Sequence, residues 1–474
     1  MNQMKNQITV DLLVLGGGPG GYTAAFRGAD LGLKTAIVEK YNVLGGVCLN
    51  VGCVPSKALL HATSVIADAN EFMKEGIFSS APQCNTDALR AWKDKIVGNL
   101  TQGLSGLAKR RKIEVIQGKG GFISTNEVDV ETQDGVLRIH FANAIIATGS
   151  HSARLAVVPD DERVWDSTDA LRLPFVPKRL MVIGGGVIGL EMATVYQRLG
   201  ARITVVELAE SLLPGVDRNT VRPLFLSMKK TAEIYTDTQV QDVTKEDSAF
   251  LVTLSGKKCP AQIEVDAILV SVGRRPNVNG IGLENPGITL NEQSRIVVDE
   301  KQRTSVPHIF AIGDVTSGPM LAHRASAEGK IAAEVAAGLD IQRPFLCIPQ
   351  VAYTTPEVAT VGMSEDAAVN AGISIGTGKF SFAASARAMT LNATAGFVKL
   401  IFNTENDVLI GAELVGPHAG ELVTEAALAI QNGLTVKQIA QTIHPHPSLS
   451  EAVLMSAEVF EGTVTDLFIP KKSG

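Results

Sequence analysis

One glycine pattern occurs twice in this chain, and the repetition constrains the fold more than any other feature. Residues 8–15 are apolar and rich in β-branched side chains, as a buried strand requires. They run into Gly16-Gly17-Gly18-Pro19-Gly20-Gly21, which matches G-x-G-x-x-G at Gly16, Gly18 and Gly21. A helical segment over 22–31 and a strand over 35–38 follow, and the strand ends in Glu39, 18 residues past Gly21. The second copy has a strand over 179–183, glycines at Gly184, Gly186 and Gly189, a helix over 190–199 and a strand over 203–206. That strand ends in Glu207, again 18 residues past its last glycine. The glycines let the backbone turn tightly and approach a pyrophosphate, which a helix N-terminus stabilises. A terminal acid is placed to accept ribose hydroxyls. One copy alone could be a glycine-rich turn without a ligand, whereas two copies imply two dinucleotides. Glu207 suits the 2′-hydroxyl of NAD and would repel the 2′-phosphate of NADP.

Six residues after Glu39 comes a stretch of different chemistry, Gly45-Gly46-Val47-Cys48-Leu49-Asn50-Val51-Gly52-Cys53-Val54-Pro55-Ser56-Lys57. Its two cysteines are separated by four residues, on what reads as the opening of a helix. A loop this small removes little entropy from the unfolded chain, so the pair is poorly suited to stapling a fold. Helix N-termini favour thiolates, and the pair therefore fits redox cycling. Two buried cysteines packed as small hydrophobes, or half of a metal site, are the alternatives. The metal alternative needs partner ligands, and the other cysteines, Cys84, Cys259 and Cys347, are single and scattered.

The totals narrow the function class. A length of 474 residues suggests about three domains. A net charge of −6 argues against nucleic acid as a partner. No apolar run reaches the roughly 18 residues of a membrane-spanning helix. The first seven residues contain one lysine and no apolar stretch, unlike a secretory leader or transit peptide. Five cysteines without such a leader fit a reducing, cytoplasmic setting.

Elsewhere the pattern supplies candidate ligand edges. Short strands over 113–147 close on a buried run that ends at Thr148-Gly149. A Pro-rich stretch at 173–177 reads as a domain junction. A single apolar strand is expected over 265–272, leading into Gly273-Arg274-Arg275-Pro276. A strand over 309–313 ends in Asp314, either at a ligand edge or as a helix N-cap. From Cys347 onward the chain reads as an α+β domain without a nucleotide motif, with strands over 350–361, 399–402 and 409–414. Near its end lies His444-Pro445-His446-Pro447-Ser448-Leu449-Ser450-Glu451. A carboxylate bonded to one imidazole nitrogen raises the basicity of the other, so His446 with Glu451 is a candidate base. A solvated surface pair is the alternative. The fold class is therefore α/β, with two Rossmann-like dinucleotide-binding domains and a C-terminal α+β domain.

Two dinucleotide sites, a close cysteine pair and a candidate base form one coherent redox relay, with a flavin between thiols and nicotinamide. On this reading the first unit holds FAD and the second NAD. The motifs at 45–57, 184–191, 311–314 and 444–451 resemble those of the pyridine nucleotide–disulfide oxidoreductases, in particular their dihydrolipoamide dehydrogenase branch. The likeness runs from Val10 to about Leu467. Glutathione reductases share the outline but place arginines where this chain has Glu207, and mercuric reductases end in a paired-cysteine tail. The resemblance implies oxidation of protein-bound dihydrolipoamide with reduction of NAD. It implies Cys48 as the thiol that exchanges with lipoyl sulfur and Cys53 as the thiol against the flavin. His446 is then the acid/base group, oriented by Glu451 and supplied by the partner subunit of a homodimer. Lys57 and Glu191 resemble an ion pair beside the flavin, Asp314 a ribitol ligand, and Thr148 and Gly149 lie along the FAD path. Gly273 and Ala322 join the cofactor-contacting positions. The implied division is FAD-binding 1–150 and 274–346, NAD-binding 151–273, and dimer interface 347–474. The implied partner is a lipoylated acyltransferase or glycine cleavage carrier protein. His151-Ser152 departs from the family's usual Arg-Pro, and a local loop change without loss of FAD is expected.

Overall fold

The computed structural model of the chain describes residues 7–341 and 347–468. The first six residues, the 346/347 boundary and the tail 469–474 lie outside the described residues. The first glycine motif sits in a seven-stranded sheet. Its parallel part runs Glu114–Gln117, Thr35–Glu39, Gln7–Leu15 and Gly135–Ile146, and Ile309–Ala311 returns to pair parallel with Gly135–Ile146. Strand Thr35–Glu39 and residues 12–15 of its neighbour are buried on both sides, as expected where helices cover both faces. The Asp134-Gly135 turn closes an antiparallel extension, with Thr132 opposite Gly135.

The second motif sits in a five-stranded parallel sheet ordered Ala232–Tyr235, Arg202–Val206, Arg179–Ile183, Ala267–Val270 and Val164–Trp165. Its edge strand, Val164–Trp165, precedes the Pro-rich stretch, so that stretch does not separate the two sheets. The single strand read over 265–272 is two strands in different sheets. Gln262–Val265 completes a three-stranded antiparallel sheet, and Ala267–Val270 enters the parallel one. Asp266 makes the switch, because its carboxylate accepts from the Arg179 N–H at 2.8 Å and from the Arg179 guanidinium at 2.6 Å. The third unit is a five-stranded antiparallel sheet covered by helices Ala419–Gln431 and Glu451–Glu461. Its edge strand Ile375–Ser381 escapes a reading of the sequence because two glycines interrupt the β pattern.

Helix Pro19–Asp30 packs backbone to backbone on helix Ala322–Ala336. A Cβ on Gly329 would lie 2.6 Å from the Gly20 carbonyl oxygen. Neither helix can retreat, since both press on the same sheet. Gly329→Ala should therefore destabilise the fold by about 1–3 kcal/mol, the range for overpacking. Chemical denaturation of the purified variant against the parent measures it, and an unchanged midpoint would contradict the packing described.

Candidate active site

The two cysteines occupy two helices. Cys48 lies in the short helix Gly46–Val51, and Cys53 opens the long helix Cys53–Lys74. Gly52 makes the break, because a Cβ there would lie 2.8 Å from the Val47 carbonyl oxygen and 3.2 Å from the Cys48 Cα. The close approach folds Cys53 back toward Cys48, and both are free thiols. Their environments differ. A hydrogen bond to Cys53, reinforced by burial, pushes the Cys48 thiol up. The Cys48 S–H donates to Cys53 and, against the cost of burial, brings the Cys53 thiol down to about 7, with the Lys57 charge assisting. Cys53 keeps an exposed face although protein crowds its other sides.

Lys57 is one helical turn beyond Cys53, and its ammonium meets both oxygens of Glu191 at 2.9 Å. Glu191 is buried on helix Val187–Arg198 of the second nucleotide unit. It also accepts from Ser56 Oγ at 3.2 Å and from the Tyr353 N–H at 3.1 Å. The Tyr353 ring lies 4.5 Å from Lys57 Nζ, a cation–π contact. Tyr353 escapes a reading of the sequence because no local pattern links it to a lysine so far away in the chain.

The two glycine loops share one geometry. Gly16 and Gly184 have φ of 106° and 108°, conformations that L side chains rarely adopt. A Cβ on the third glycines, Gly21 and Gly189, would run into the Gly16 and Gly184 carbonyls. The middle glycines are open. A Cβ on Gly18 would meet nothing nearer than Gly46 Cα at 3.9 Å, and one on Gly186 nothing within 4 Å. Each middle glycine is the uncapped N-cap of a 12-residue helix, so the first N–H groups have no side-chain acceptor. The acids are held the same way. Gly17 N–H donates to Glu39 at 2.7 Å, and Gly185 N–H to Glu207 at 2.6 Å. These features fit a pyrophosphate over each loop and a ribose at each acid.

Asp314 lies in the single 3-10 turn Gly313–Val315 past strand Ile309–Ala311, and it caps no helix. Its carboxylate accepts from Ser150 Oγ at 2.5 Å, and Ser150 Oγ in turn accepts from Arg274 Nε at 2.7 Å. Thr148 and Asn277 exchange hydrogen bonds, Thr148 Oγ1 donating at 2.7 Å and Asn277 Nδ2 at 2.8 Å. Gly149, with φ of 69°, and Gly273, with φ of 119°, have open space where a Cβ would stand. Ala322 opens helix Ala322–Ala336, whose N-cap Leu321 offers no side-chain acceptor. The segment with His151 is a short ribbon, Ser150–Ser152 paired with Arg274–Pro276, and His151 Nδ1 lies 2.7 Å from Asn277 Oδ1.

His446 Nδ1 lies 2.8 Å from Glu451 Oε1, and Glu451 Oε2 accepts from the Ser448 N–H at 2.7 Å. Partial burial pushes Glu451 up, but the Ser448 N–H and His446 outweigh it and hold the carboxyl below its usual range. The imidazole is 73% exposed, which leaves Nε2 outward. Among the described residues, no hydrogen bond or ion pair joins this pair to Cys48 or Cys53 within one chain. No group of three or more His, Cys, Asp or Glu side chains is placed to hold a metal among the described residues.

Comparison with known proteins gives this arrangement a family. The model described as pyridine nucleotide-disulphide oxidoreductase matches residues 10–329, and that family's dimerisation domain matches residues 348–457. The chain belongs to the pyridine nucleotide-disulphide oxidoreductase family. Within this family it is 47% identical to a dihydrolipoyl dehydrogenase of Vibrio cholerae, over 98% of each chain. It is 43% identical to the dihydrolipoyl dehydrogenase of Geobacillus stearothermophilus, over 96% of this chain and 97% of the relative. Among solved structures it is similar to LpdA from Mycobacterium tuberculosis, with a TM-score of 0.87 and 28% identity over 95% of this chain and 99% of that one. It is also similar to the HOCl-induced flavoprotein disulfide reductase RclA from Escherichia coli, with a TM-score of 0.84 and 27% identity over 95% and 99% of the two chains.

Within this family site, the Lys57 charge acts on Cys53. Lys57→Gln removes that charge, so the Cys53 thiol should rise above about 7. A pH titration of thiolate absorbance in the reduced protein tests this, and an unmoved or lowered midpoint would remove Lys57 from the account.

Proposed function

We propose that this enzyme oxidises protein-bound dihydrolipoamide to lipoamide and reduces NAD, with Cys48 and Cys53 as its redox pair. The observation that carries the residue roles is the inequality of the two thiols. Cys53 lies beside Lys57 and favours the thiolate, whereas Cys48 holds its proton. The names of end-to-end relatives support the substrate, and the two glycine loops support FAD in the first unit and NAD in the second.

The proton and sulfur steps follow from these residues. His446 Nε2 takes a proton from one thiol of dihydrolipoamide while Glu451 holds Nδ1. The resulting thiolate attacks Cys48 of the oxidised pair, a lipoyl S–Cys48 bond forms, and Cys53 leaves as thiolate. The second lipoyl thiol then attacks the first lipoyl sulfur. Lipoamide departs as a disulfide and Cys48 departs as thiol, taking up the second proton. Two electrons now reside on the cysteine pair, with the negative charge on Cys53 near Lys57. FAD, when bound, supplies the two-electron carrier between this thiolate and the nicotinamide. Glu39 and Glu207 would orient the two riboses, Asp314 would hold the ribitol, and the Lys57–Glu191 pair would fix charge near the flavin.

The proposal includes a homodimer. Ile443, 96% exposed, and Leu428, 62% exposed, are large apolar side chains on the unit that carries His446. The His446–Glu451 pair of one subunit would then serve the cysteines of the other, which suits their separation within one chain. The lipoyl arm comes from an acyltransferase of a 2-oxoacid dehydrogenase complex or from the glycine cleavage carrier, and the enzyme acts in the cytoplasm. No described helix is long and apolar enough to cross a membrane.

Cys48→Ser and Cys53→Ser should each abolish dihydrolipoamide turnover and leave FAD bound. His446→Gln should cost at least about 10²-fold, the low end for general acid–base catalysis. Near-normal steady-state rates in any of the three would sink the corresponding role. Subunit exchange has its own test. Co-expressed Cys48→Ser and His446→Gln chains, purified as the mixed dimer through two tags, should regain turnover, because one of the two symmetry-related sites is intact. A mixed dimer as inactive as its parents would place base and thiols in the same chain.

A further inference from the structure

The loop that carries His446 holds a second histidine whose surroundings the proposed reaction does not use. His444 Nδ1 lies 2.8 Å from the Thr442 carbonyl oxygen, and its Nε2 lies 2.8 Å from Glu425 Oε1. Both contacts are oxygen acceptors without a proton to give. A neutral imidazole has a single N–H and can satisfy only one of them. The geometry therefore selects the imidazolium, a donor on both sides. The His444 side chain is 5% exposed and Glu425 is 34% exposed, so water reaches the pair mainly from the carboxylate side. The neighbours of His444 along the chain point the other way, Ile443 being 96% and the His446 side chain 73% exposed.

The contact to Glu425 reaches 19 residues back, onto helix Ala419–Gln431. It ties the loop to that helix by a side-chain bond. The charged groups that face His444 are Glu425 from this helix and Glu451 from helix Glu451–Glu461. Both are acids and both favour the cation. The bond to Glu425 is the largest influence and outweighs partial burial, so the His444 pKa lies above its ordinary value.

We propose that His444, as a cation clamped between Glu425 and the Thr442 carbonyl, is the positioning residue that sets the loop presenting His446 and Glu451. The inference rests on His446 being the base. Its sign is fixed. A group whose pKa is raised in the folded protein contributes fully below its ordinary value, and the contribution fades as pH rises through the raised one. The clamp is therefore complete in mildly acidic solution and opens on the alkaline side. When it opens, His444 loses one of its two donors, the Glu425 bond slackens, and the exposed imidazole two residues on loses its fixed aim. Turnover that needs His446 should acquire an alkaline fall owed to His444, whereas reduction of the flavin by NADH should not.

Glu425→Gln tests this with little change of shape. The amide has no charge to hold the cation, so the alkaline fall of dihydrolipoamide turnover should move to lower pH. At the alkaline end the rate should drop about 10-fold or more, the lower part of what misplacing a catalytic group costs. His444→Gln should lower the rate at every pH and abolish that limb. In both variants FAD content, dimer mass and the rate of flavin reduction by NADH should match the parent, which guards against misfolding. Selective ¹⁵N-histidine spectra give a direct readout, with both His444 nitrogens protonated in the parent and titrating at lower pH in Glu425→Gln. A Glu425→Gln pH profile that superimposes on the parent's, with turnover within twofold, would overturn the proposal. His446→Gln is run alongside. Should that variant keep its turnover, the assignment of the base fails, which is distinguishable from a silent Glu425→Gln beside an inactive His446→Gln.

Discussion

Glu191 is a buried carboxylate on which three parts of this protein converge. Taking a charge out of water costs several kcal/mol, so the carboxylate persists only if its oxygens are fully engaged. They are engaged by Lys57 and Ser56 from the cysteine helix and by the backbone of Tyr353 from the C-terminal sheet. The donors come from the first and third structural units, and the acceptor comes from the second. No unit can shift without leaving a buried carboxylate short of partners. The same lysine supplies the positive charge near Cys53. One ion pair thus ties the units together and sets a cation near the sulfur whose thiolate the Cys48 S–H favours most.

The nucleotide loops solve a different problem with equal economy. A dinucleotide brings two phosphate charges, and each loop offers uncapped helix N–H groups that would suit them. The acid at the end of the second strand is tied to the loop by the N–H of Gly17 or Gly185. The glycine loop and the acid therefore form one rigid piece in each unit. The whole device is repeated, down to hydrogen bonds that differ by 0.1 Å.

What could be read in the sequence is chemistry confined to short contiguous stretches. The glycine triads, Glu39, Glu207, the cysteine pair and the His446–Glu451 pair each declare themselves by spacing, because helices and tight turns convert spacing directly into proximity. What could not be read depends on partners brought from far along the chain. Tyr353 meets Lys57, Glu425 meets His444, and Arg274 reaches Asp314 through Ser150. Glycine also misleads when it serves packing. Gly376 and Gly378 interrupt a strand pattern, yet they are there because Phe460 and the Ser456 carbonyl press against that strand. The order of the two cysteines belongs to the same class. Spacing makes them equivalent, whereas the break at Gly52, the Cys48–Cys53 hydrogen bond and the position of Lys57 distinguish them.

The two ends of the reaction accordingly make opposite demands. The sulfur proposed to store charge keeps an exposed face, with a hydrogen-bonding thiol and a fixed cation near it. On the proposed reading, the base meets a substrate carried on another protein, and the His446 imidazole does stand in solvent, where such charges count for less. Exposure would leave its orientation loose. Its loop offsets this with proline on both sides of His446, a carboxylate behind the ring, and a buried histidine anchored to the neighbouring helix. Rigidity is supplied from below the surface, and the reactive nitrogen alone is left free.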